Sequence, residues 1–351
     1  MYRKDAIVVG EWIRNSNKAL LVTGARQTGK TWLIRDEIEK SGYTKFELNF
    51  IDQPDMVSYL NAEMSAEDFL IKLKMIMPED CKVHETVVFF DEIQKCPEIV
   101  TKIKFLVDEG SFKYVMSGSL LGVELKGIAS APVGYLTVLR MYPMDFEEFM
   151  VANNVSTTTL DMLEDKFKTV SPIEEFIHQK LLAMFFVYLI VGGMPDAVKT
   201  YIETKDIREV DRVQRDITTL YKEDFSQYEL EDRKLKLKSI YDIIPAELNK
   251  QNKKFVFTML NKELKFERYE NSFLWLKDAG VALPVYNVDA PVIPLLASKS
   301  SNVFRLFSSD IGLLTSAYPA ETKIELINKN GEVNNGAHFE NAVAQQLTAN
   351  G

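Results

Sequence analysis

The stretch "LLVTGARQTGKTWLI", residues 20–34, decides the fold of the first part of this chain. Within it, the eight residues from Gly24 to Thr31 fit the pattern G-x-x-x-x-G-K-[ST] without a mismatch. An apolar stretch precedes them and an amphipathic helical pattern follows, which is the context of a phosphate-binding loop. A polar turn with two chance glycines is the alternative, and the flanking strand and helix argue against it. The stretch therefore predicts a strand, a nucleotide-binding loop and a helix.

The positions of this loop have separate chemical tasks. Glycines let backbone N–H groups curl around phosphate oxygens. Lys30 can reach the β- and γ-phosphates, and the Thr31 hydroxyl can ligate Mg²⁺. The helix that starts at Lys30 directs its positive end at the anion. The residues expected to bind ATP are Gly24, Ala25, Arg26, Gln27, Thr28, Gly29, Lys30 and Thr31.

A second motif, "VVFFDEIQ" at 87–94, is an apolar strand that ends in two carboxylates. A P-loop enzyme needs a carboxylate opposite Thr31 to hold Mg²⁺, and a group that orients and deprotonates the attacking water. Asp91 suits the first role and Glu92 suits the second. A solvated acidic turn at a strand end is the alternative, and the upstream phosphate loop makes it the weaker one.

Five short apolar runs alternate with helical patterns before residue 142, at 19–23, 45–50, 86–93, 113–119 and 135–141. Runs of this length, rich in Val, Phe and Leu, are typical of buried parallel strands with crossover helices. They predict a doubly wound α/β sheet. One strand falls between the two motifs, and a glutamate follows the aspartate. This is the arrangement of the P-loop class that has a catalytic glutamate.

Two further elements of the catalytic site are expected near the γ-phosphate. The fourth strand ends "MSGS", so Ser117 or Ser119 is expected where a polar sensor residue belongs, although a plain turn fits equally well. An arginine that stabilises transition-state charge can contribute roughly 10³–10⁵ in rate. Arg140, which ends the fifth strand, is the candidate, with a surface salt bridge as the alternative. Arg26 is expected to face solvent or cap the loop.

The sequence patterns after the predicted sheet divide the chain into further segments. Residues 1–150 are predicted to form the ATPase core and residues 151–233 a helical lid. Residues 234–320 read as three amphipathic helices and two strand-like arms, "VALPVYNV" and "NVFRLFSSDIGLL", which is a winged-helix pattern. Residues 321–351 are predicted to form a linker and one amphipathic helix. The helical pattern is still incomplete at Gly351, from which a truncated chain is expected.

The composition of the 351 residues is that of a globular protein, with 46% hydrophobic and 26% charged residues and a net charge of −9. Two cysteines make neither a disulfide framework nor a zinc site, so a reducing, cytoplasmic interior is expected. Three scattered histidines show no metal-binding spacing. The most apolar stretch, 181–194, is too short to span a bilayer comfortably and is predicted to be a buried helix.

Charge is distributed unevenly along the chain. Residues 234–320 contain twelve Lys and Arg against eight Asp and Glu, although the whole chain is acidic. Basic residues cluster around the second and third helices of the winged-helix pattern, at Lys250, Lys253, Lys254, Lys262, Lys265 and Arg268. Residues 266–278 would form the recognition helix, so the region 250–278 is a candidate for binding double-stranded DNA. Ordinary solvated faces and a protein-contact module are the alternatives.

Taken in order, "GARQTGKT", "FFDEIQKCPE", "MSGSLLGVELKG", "YPMDFEEF", "VGGMPDAV" and "FRLFSSDIGLL" resemble one bacterial and archaeal family. These are AAA-type ATPases with a C-terminal domain of unknown function related to PD-(D/E)xK nucleases. The resemblance implies an AAA-like core, a helical lid, a winged helix and a nuclease-like domain. "GAHFENAVAQQL" looks like the first helix of that last domain, with Glu340 at its glutamate position.

Two departures from the family pattern limit what the resemblance implies. Members often have a basic residue after a glycine just before the fifth strand, where this chain has Gly134-Tyr135, and this removes one candidate for a finger. The strands that would carry the nuclease residues are missing before Gly351, so no metal-dependent cleavage is expected. The expected function is Mg²⁺-dependent ATP hydrolysis that moves the C-terminal module on DNA or a protein. The alternative is a slow, nucleotide-gated switch that contacts a protein partner or a neighbouring subunit.

Overall fold

The structure, a computed structural model, describes residues 1–60, 65–119, 134–228, 231–250, 270–327 and 335–351. They form two compact units. The N-terminal unit is Arg3–Met141, and the C-terminal unit is Tyr142–Gly351 together with Met1–Tyr2. The elements of the N-terminal unit are α1 (Asp5–Asn15), β1 (Ala19–Thr23), α2 (Lys30–Ser41), β2 (Thr44–Asn49), α3 (Pro54–Leu60), α4 (Ala66–Ile76), β3 (Thr86–Asp91), a 3₁₀ turn (Ile93–Lys95), α5 (Glu98–Glu109), β4 (Lys113–Gly118) and β5 (Leu136–Arg140).

The described strands of the N-terminal unit form one parallel sheet in the order β2-β3-β4-β1-β5. Alternate strand residues point to opposite faces. Leu20, Phe89 and Val115 pack with α1 and α2 on one face, and Phe90 and Tyr114 pack with α4 and α5 on the other. Both faces are therefore covered, which explains why the strands read as continuous apolar runs. The predicted doubly wound α/β sheet is confirmed.

The sheet order places the two sequence motifs near one another. β4 lies between β1, which leads into the phosphate loop, and β3, which ends at Asp91. In the strand register, Val22 is paired with Ser117, and Asn49 is paired with Asp91. Because all of these strands run in the same direction, their carboxyl ends meet at one edge, where open α/β sheets bind ligands.

The C-terminal unit is mainly helical. Its helices between 146 and 248 agree with the predicted helical texture of 151–233. Its elements are α6 (Phe146–Ala152), α7 (Thr157–Lys168), α8 (Glu175–Val191), α9 (Pro195–Thr204), α10 (Ile207–Tyr228), α11 (Glu231–Leu248), α12 (Glu270–Asp278), β6 (Ala282–Val288), β7 (Lys299–Ser308), α13 (Ile311–Ser316), α14 (Ala320–Ile327) and α15 (Gly336–Asn350). None of the helices in the described ranges is long and apolar enough to cross a membrane.

The two strand-like arms form an antiparallel pair, β6 and β7. The second arm is shorter than predicted, because the chain becomes helical after Ser308. Asp310 caps the new helix: its Oδ1 accepts a hydrogen bond from the backbone N–H of Leu313 at 3.0 Å. The predicted helix "FVFTMLNKEL" (255–264) lies outside the described residues, and so does the first part of the recognition helix. The winged-helix assignment therefore remains a prediction.

The last helix, α15, packs within the C-terminal unit. Asn341 pairs with the backbone of Ser308 through both its amide oxygen, at 2.8 Å, and its amide nitrogen, at 3.1 Å. Gln345 accepts a hydrogen bond from the backbone N–H of Ile311 at 2.8 Å. Both side chains are buried. The helix that was expected to open a separate nuclease-like domain thus contributes to the core formed around β7 and α13.

Candidate functional site

The phosphate loop joins β1 to α2 and requires glycine at its first position. Gly24 has φ +143°, and a Cβ on it would lie 2.2 Å from the carbonyl oxygen of Met141. Any other residue would therefore clash with the backbone at the end of β5. α2 begins at Lys30, so its unpaired N-terminal N–H groups lie at the end of the loop. The local geometry is that of an anion-binding helix start.

Lys30 is folded over the loop. Its Nζ donates hydrogen bonds to the carbonyl oxygens of Gly24 at 3.1 Å and Ala25 at 2.7 Å. The side chain is buried, and this burial lowers the pKa of Lys30 to about 8, against the opposing effect of the carboxylates Glu92 and Asp91. An ammonium group desolvated in this way gains much from an added anion, because it has lost hydration that a phosphate would replace.

Thr31 and Asp91 meet across the edge of the sheet. The Thr31 hydroxyl donates to the Asp91 carboxylate, with oxygen–oxygen distances of 3.1 and 3.0 Å to Oδ1 and Oδ2. The Ser117 hydroxyl donates to Oδ1, and the Asn49 amide donates to Oδ2 at 3.1 Å. Three side chains from three different elements therefore converge on one buried carboxylate.

Burial is the main influence on the Asp91 carboxyl and raises its pKa, whereas the hydrogen bonds from Ser117 and Thr31 act in the opposite direction. A hard divalent cation would favour the ionised form. The neighbouring atoms are carboxylate, hydroxyl and amide groups, and oxygen ligands of this kind are those that Mg²⁺ prefers. The donor set therefore fits a magnesium ion held by Thr31 and Asp91.

Glu92 follows Asp91 directly but belongs to a different set of contacts. It has a left-handed backbone, with φ 56° and ψ 45°, and its carboxylate accepts a hydrogen bond from the Gln94 amide. The same amide nitrogen lies 3.4 Å from Ser119 Oγ, and Arg26 Nε lies 3.4 Å from that oxygen. Of the two serines considered from the sequence, Ser117 contacts Asp91, whereas Ser119 contacts Gln94 and Arg26.

The structure places Arg140 at the carboxyl end of β5, in register with Thr23, the residue before the loop. This position is on the same edge as the phosphate loop. Tyr135 is at the other end of β5, where its carbonyl accepts from the N–H of Ala19 at the start of β1. A basic residue at position 135 would lie at the opposite edge of the sheet. The loss of a finger candidate at Tyr135 therefore does not concern the Arg140 end of β5, and it stays a prediction.

The structure brings together most of the predicted site residues, and it adds three that the sequence analysis missed. Asn49 is a polar residue at a strand end, like Asp91, and could have been found from that pattern. Arg3 donates to the carbonyl oxygen of Thr28 at 2.9 Å and thereby supports the loop from the N-terminal segment. Gln94 contacts Glu92 only because of a local turn, for which the sequence carries no clear signal.

The predicted sites of the C-terminal half have ordinary partners where they are described. Glu340, at the glutamate position of the resemblance, forms an ion pair with Arg305 at 2.9 Å. Lys250 forms an ion pair with the buried Glu247. Lys253, Lys254, Lys262, Lys265 and Arg268 lie outside the described residues. The DNA-binding prediction for 250–278 therefore stays a prediction.

Comparison with protein families finds two matches. Residues 16–150 match the model of an AAA domain, and residues 183–324 match a domain of unknown function, DUF8612. The first match covers the phosphate loop and both carboxylates of the site, so the AAA-type P-loop ATPase assignment of this part of the chain is supported. The relationship of the second domain to nucleases is not shown. No curated protein matches this chain.

Solved structures give distant similarities. The Walker-type ATPase PABY2304 of Pyrococcus abyssi is 14% identical, with 90% of this chain and 95% of that chain covered and a TM-score of 0.49. DnaA of Aquifex aeolicus, bound to AMPPCP, is 12% identical over 79% and 89% of the two chains, with a TM-score of 0.38. Drosophila ORC bound to DNA is 13% identical over 94% and 95%, with a TM-score of 0.35.

Proposed function

We propose that the N-terminal unit binds Mg²⁺-ATP and hydrolyses it to ADP and phosphate. One observation carries the proposal: the Thr31 hydroxyl lies 3.0 Å from a carboxylate oxygen of the buried Asp91, and Glu92 is the next residue. A metal-holding pair with an adjacent carboxylate is what nucleotide hydrolysis requires. A loop that only held a nucleotide would not need the second carboxylate.

Each residue of the site has a role that follows from its position. The backbone N–H groups of Gly24–Thr31 and the ammonium group of Lys30 would bind the phosphates. Thr31 and Asp91 would hold Mg²⁺, which supplies neutralisation of the charge on the phosphate oxygens. Glu92 would accept the proton of the water that attacks the γ-phosphate in line with the leaving oxygen. Ser119 and Arg140 would contact the transferring phosphoryl group from β4 and β5.

Steady-state phosphate release and equilibrium nucleotide binding test the proposal together. Lys30→Ala should abolish ATP binding, because it removes the charge that offsets the phosphates. Glu92→Gln should bind ATP within about twofold of wild type but turn over at least about 10²-fold more slowly, as expected for loss of a general base. Turnover by Glu92→Gln at the wild-type rate would refute the role of Glu92. Tight binding without turnover in the wild type would establish the slow switch instead.

The output of the ATP cycle is the second part of the proposal. The C-terminal module is proposed to change its grip on DNA, or on a protein, as nucleotide is bound and hydrolysed. The excess of basic residues over 234–320 supports DNA. Duplex binding measured over a salt series is the test, because counterion release makes any phosphate contact stronger as salt falls. An absence of binding at low salt would leave a protein partner as the remaining proposal.

A further inference from the structure

The turn that follows β3 brings two side chains together that an extended strand would keep apart. Glu92 leaves the strand with a left-handed backbone, φ 56°, and Ile93–Lys95 form a single 3₁₀ turn. A left-handed conformation is unfavourable for a glutamate, so the surrounding contacts must hold it. The result is that the Gln94 amide donates to Oε2 of Glu92.

Gln94 is held firmly in this position. Its side chain is 5% exposed, and its Nε2 is also 3.4 Å from the oxygen of Ser119, which is 1% exposed. Its Oε1 is buried and has no hydrogen-bond partner among the described residues. Reversing the amide would remove the hydrogen bond to Glu92, because it would place the Gln94 Oε1 acceptor against the Glu92 carboxylate, which is also an acceptor. The charge of Glu92 thus fixes the amide with its nitrogen toward the carboxylate.

The contacts continue from Gln94 to the phosphate loop. Arg26, the third residue of the loop, places its Nε 3.4 Å from the same Ser119 oxygen. The hydrogen-bonded series therefore runs from Arg26 through Ser119 and Gln94 to Glu92. Its two ends are the segment expected to surround the phosphates and the carboxylate expected to activate water.

We propose that Gln94 is the positioning residue for Glu92, with Ser119 and Arg26 linking it to the phosphate loop. The inference rests on the proposed function, since it assumes that Glu92 acts as a base. Gln94 restrains Oε2 of Glu92 and leaves Oε1 of Glu92 to accept the proton. A free glutamate side chain samples several rotamers, and a fixed one meets the geometric demand of proton transfer more often. A neutral donor such as glutamine restrains the carboxylate and leaves its negative charge in place. A lysine or arginine at this position would neutralise that charge.

Gln94→Met is the decisive variant, because methionine keeps the length of the side chain and removes the donor. We expect kcat to fall about 10- to 100-fold, with the Kd for Mg²⁺-ATP and KM within about twofold of wild type. Gln179→Met is the matched control. Gln179 also donates its amide to a glutamate, Oε1 of Glu175 at 2.7 Å, but on an exposed helix face of the C-terminal unit. It should leave kcat and Kd unchanged.

The double variant Glu92→Gln/Gln94→Met separates positioning from any independent role. If Gln94 acts through Glu92, the double variant should be no slower than Glu92→Gln alone. Thermal denaturation shows whether Gln94→Met is folded. If it is not, Gln94→Asn replaces it, because the shorter amide keeps the polarity but cannot reach Glu92 from the same backbone.

Three results would overturn the proposal: a wild-type kcat in a folded Gln94 variant, an increased kcat, or a Kd that weakens in parallel with kcat. The failure of the proposed function is distinguishable. If the wild type does not hydrolyse ATP, or if Glu92→Gln turns over normally, the role of Glu92 itself is wrong. If Glu92→Gln is inactive while Gln94→Met equals wild type, only the positioning role is wrong.

Discussion

Each of the two units of this protein buries an aspartate, and the two sites differ in what surrounds the carboxylate. Asp91 is 2% exposed and Asp310 is 0% exposed, and burial raises the pKa of both. Asp91 accepts from the side chains of Thr31, Ser117 and Asn49. Asp310 instead accepts from the backbone N–H groups of residues 193 and 313, at 2.6 and 3.0 Å, and from the Gln345 amide at 3.3 Å.

The difference in donors distinguishes the carboxylate proposed to hold a metal ion from a carboxylate with a structural role. A hydroxyl or amide side chain can rotate and release a carboxylate oxygen to a metal ion. A backbone N–H cannot do so unless the chain itself moves. Asp91 can therefore exchange its partners without a movement of the backbone, whereas Asp310 is fixed in one arrangement and joins the segment before α9 to the start of α13.

Close backbone packing strengthens the second site. A Cβ on Gly193 would lie 1.9 Å from the carbonyl oxygen of Met144, and one on Gly312 would lie 2.4 Å from that of Val191. The "YPM", "GGMP" and "SDIGLL" motifs therefore meet through backbone atoms. These three motifs are therefore needed for the close backbone packing of the C-terminal unit.

The largest expected loss of stability comes from adding a methyl group at Gly193, where the backbone of Met144 leaves no space. Gly193→Ala should destabilise the C-terminal unit by about 5 kcal/mol or more, since backbone atoms block the methyl group on the Met144 side. Gly110→Ala in the N-terminal unit is the control. Gly110 has φ +78° but its nearest neighbour would be 4.0 Å away, so it should cost only about 1 kcal/mol. Hydrogen exchange followed by mass spectrometry measures the protection of the backbone amides in each unit separately.

Equal protection from exchange in wild type and Gly193→Ala would contradict the steric argument. Loss of protection in both units would show that the C-terminal unit is required for the N-terminal one to fold. Loss confined to 142–351 is the expected result.

Replacing each of the two aspartates by asparagine tests whether the donors around it can rearrange. Asp310→Asn should destabilise the protein by about 3–4 kcal/mol, because the new NH₂ group faces a backbone donor and leaves it unpaired. Asp91→Asn should change stability by less than about 1 kcal/mol, since the hydroxyls of Thr31 and Ser117 can turn to accept from it. It should nevertheless abolish Mg²⁺-dependent turnover.

Urea unfolding and phosphate release measure the two properties separately. The expected pattern is opposite in the two variants: stability lost at Asp310, and activity lost with stability kept at Asp91. A large loss of stability in Asp91→Asn would mean that its side-chain partners are as rigid as the backbone partners of Asp310.

Much of the N-terminal unit could be predicted from the sequence because its signals are local. The loop, the strands and the Asp91-Glu92 pair each have a pattern within about ten residues. The side-chain partners of Asp91 are less visible, since Asn49 and Ser117 reach it through sheet pairing. Gln94 was missed because the left-handed backbone of Glu92 is a property of the fold and not of a residue type that favours it.

The C-terminal unit was less predictable because its core depends on contacts distant in sequence. Residue 193 meets residue 310, and α15 inserts Asn341 and Gln345 into the backbone around β7 and α13. A pattern of apolar residues indicates which face of a helix is buried but not which element covers it. The assignment of α15 to a separate domain came from resemblance alone, and nothing in the sequence indicates that its amide side chains contact Ser308 and Ile311.

A buried histidine of the C-terminal unit makes the stability of the protein depend on pH. His338 is 1% exposed, and its ring lies 4.7 Å from the Tyr318 ring. Neither ring nitrogen has a hydrogen-bond partner in the part of the chain that the structure describes. Burial lowers the pKa of His338 to about 4 from 6.5. The unfolded chain therefore takes up a proton first as the pH falls, and stability should be lost between about pH 6.5 and 4.

His338→Phe should remove this loss, because phenylalanine cannot be protonated. Relative to wild type, the variant should gain about 3 kcal/mol as the pH falls from 7 to 4. Asp310, with a pKa of about 6, acts in the opposite direction: its stabilising contribution is present at low pH and is lost as the pH rises through 6. Both proteins retain Asp310, so its contribution cancels in the difference, as does any constant cost of the larger ring.

The measurement is a series of urea titrations from pH 4 to 7, followed by the fluorescence of Trp275 in a background where Trp12 and Trp32 are phenylalanine. His178→Phe makes the same substitution at an exposed position and is the matched control. A difference between His338→Phe and wild type that stays constant with pH would mean that His338 is protonated while buried. Such a proton would need a carboxylate or carbonyl partner, and among the described residues neither ring nitrogen has one.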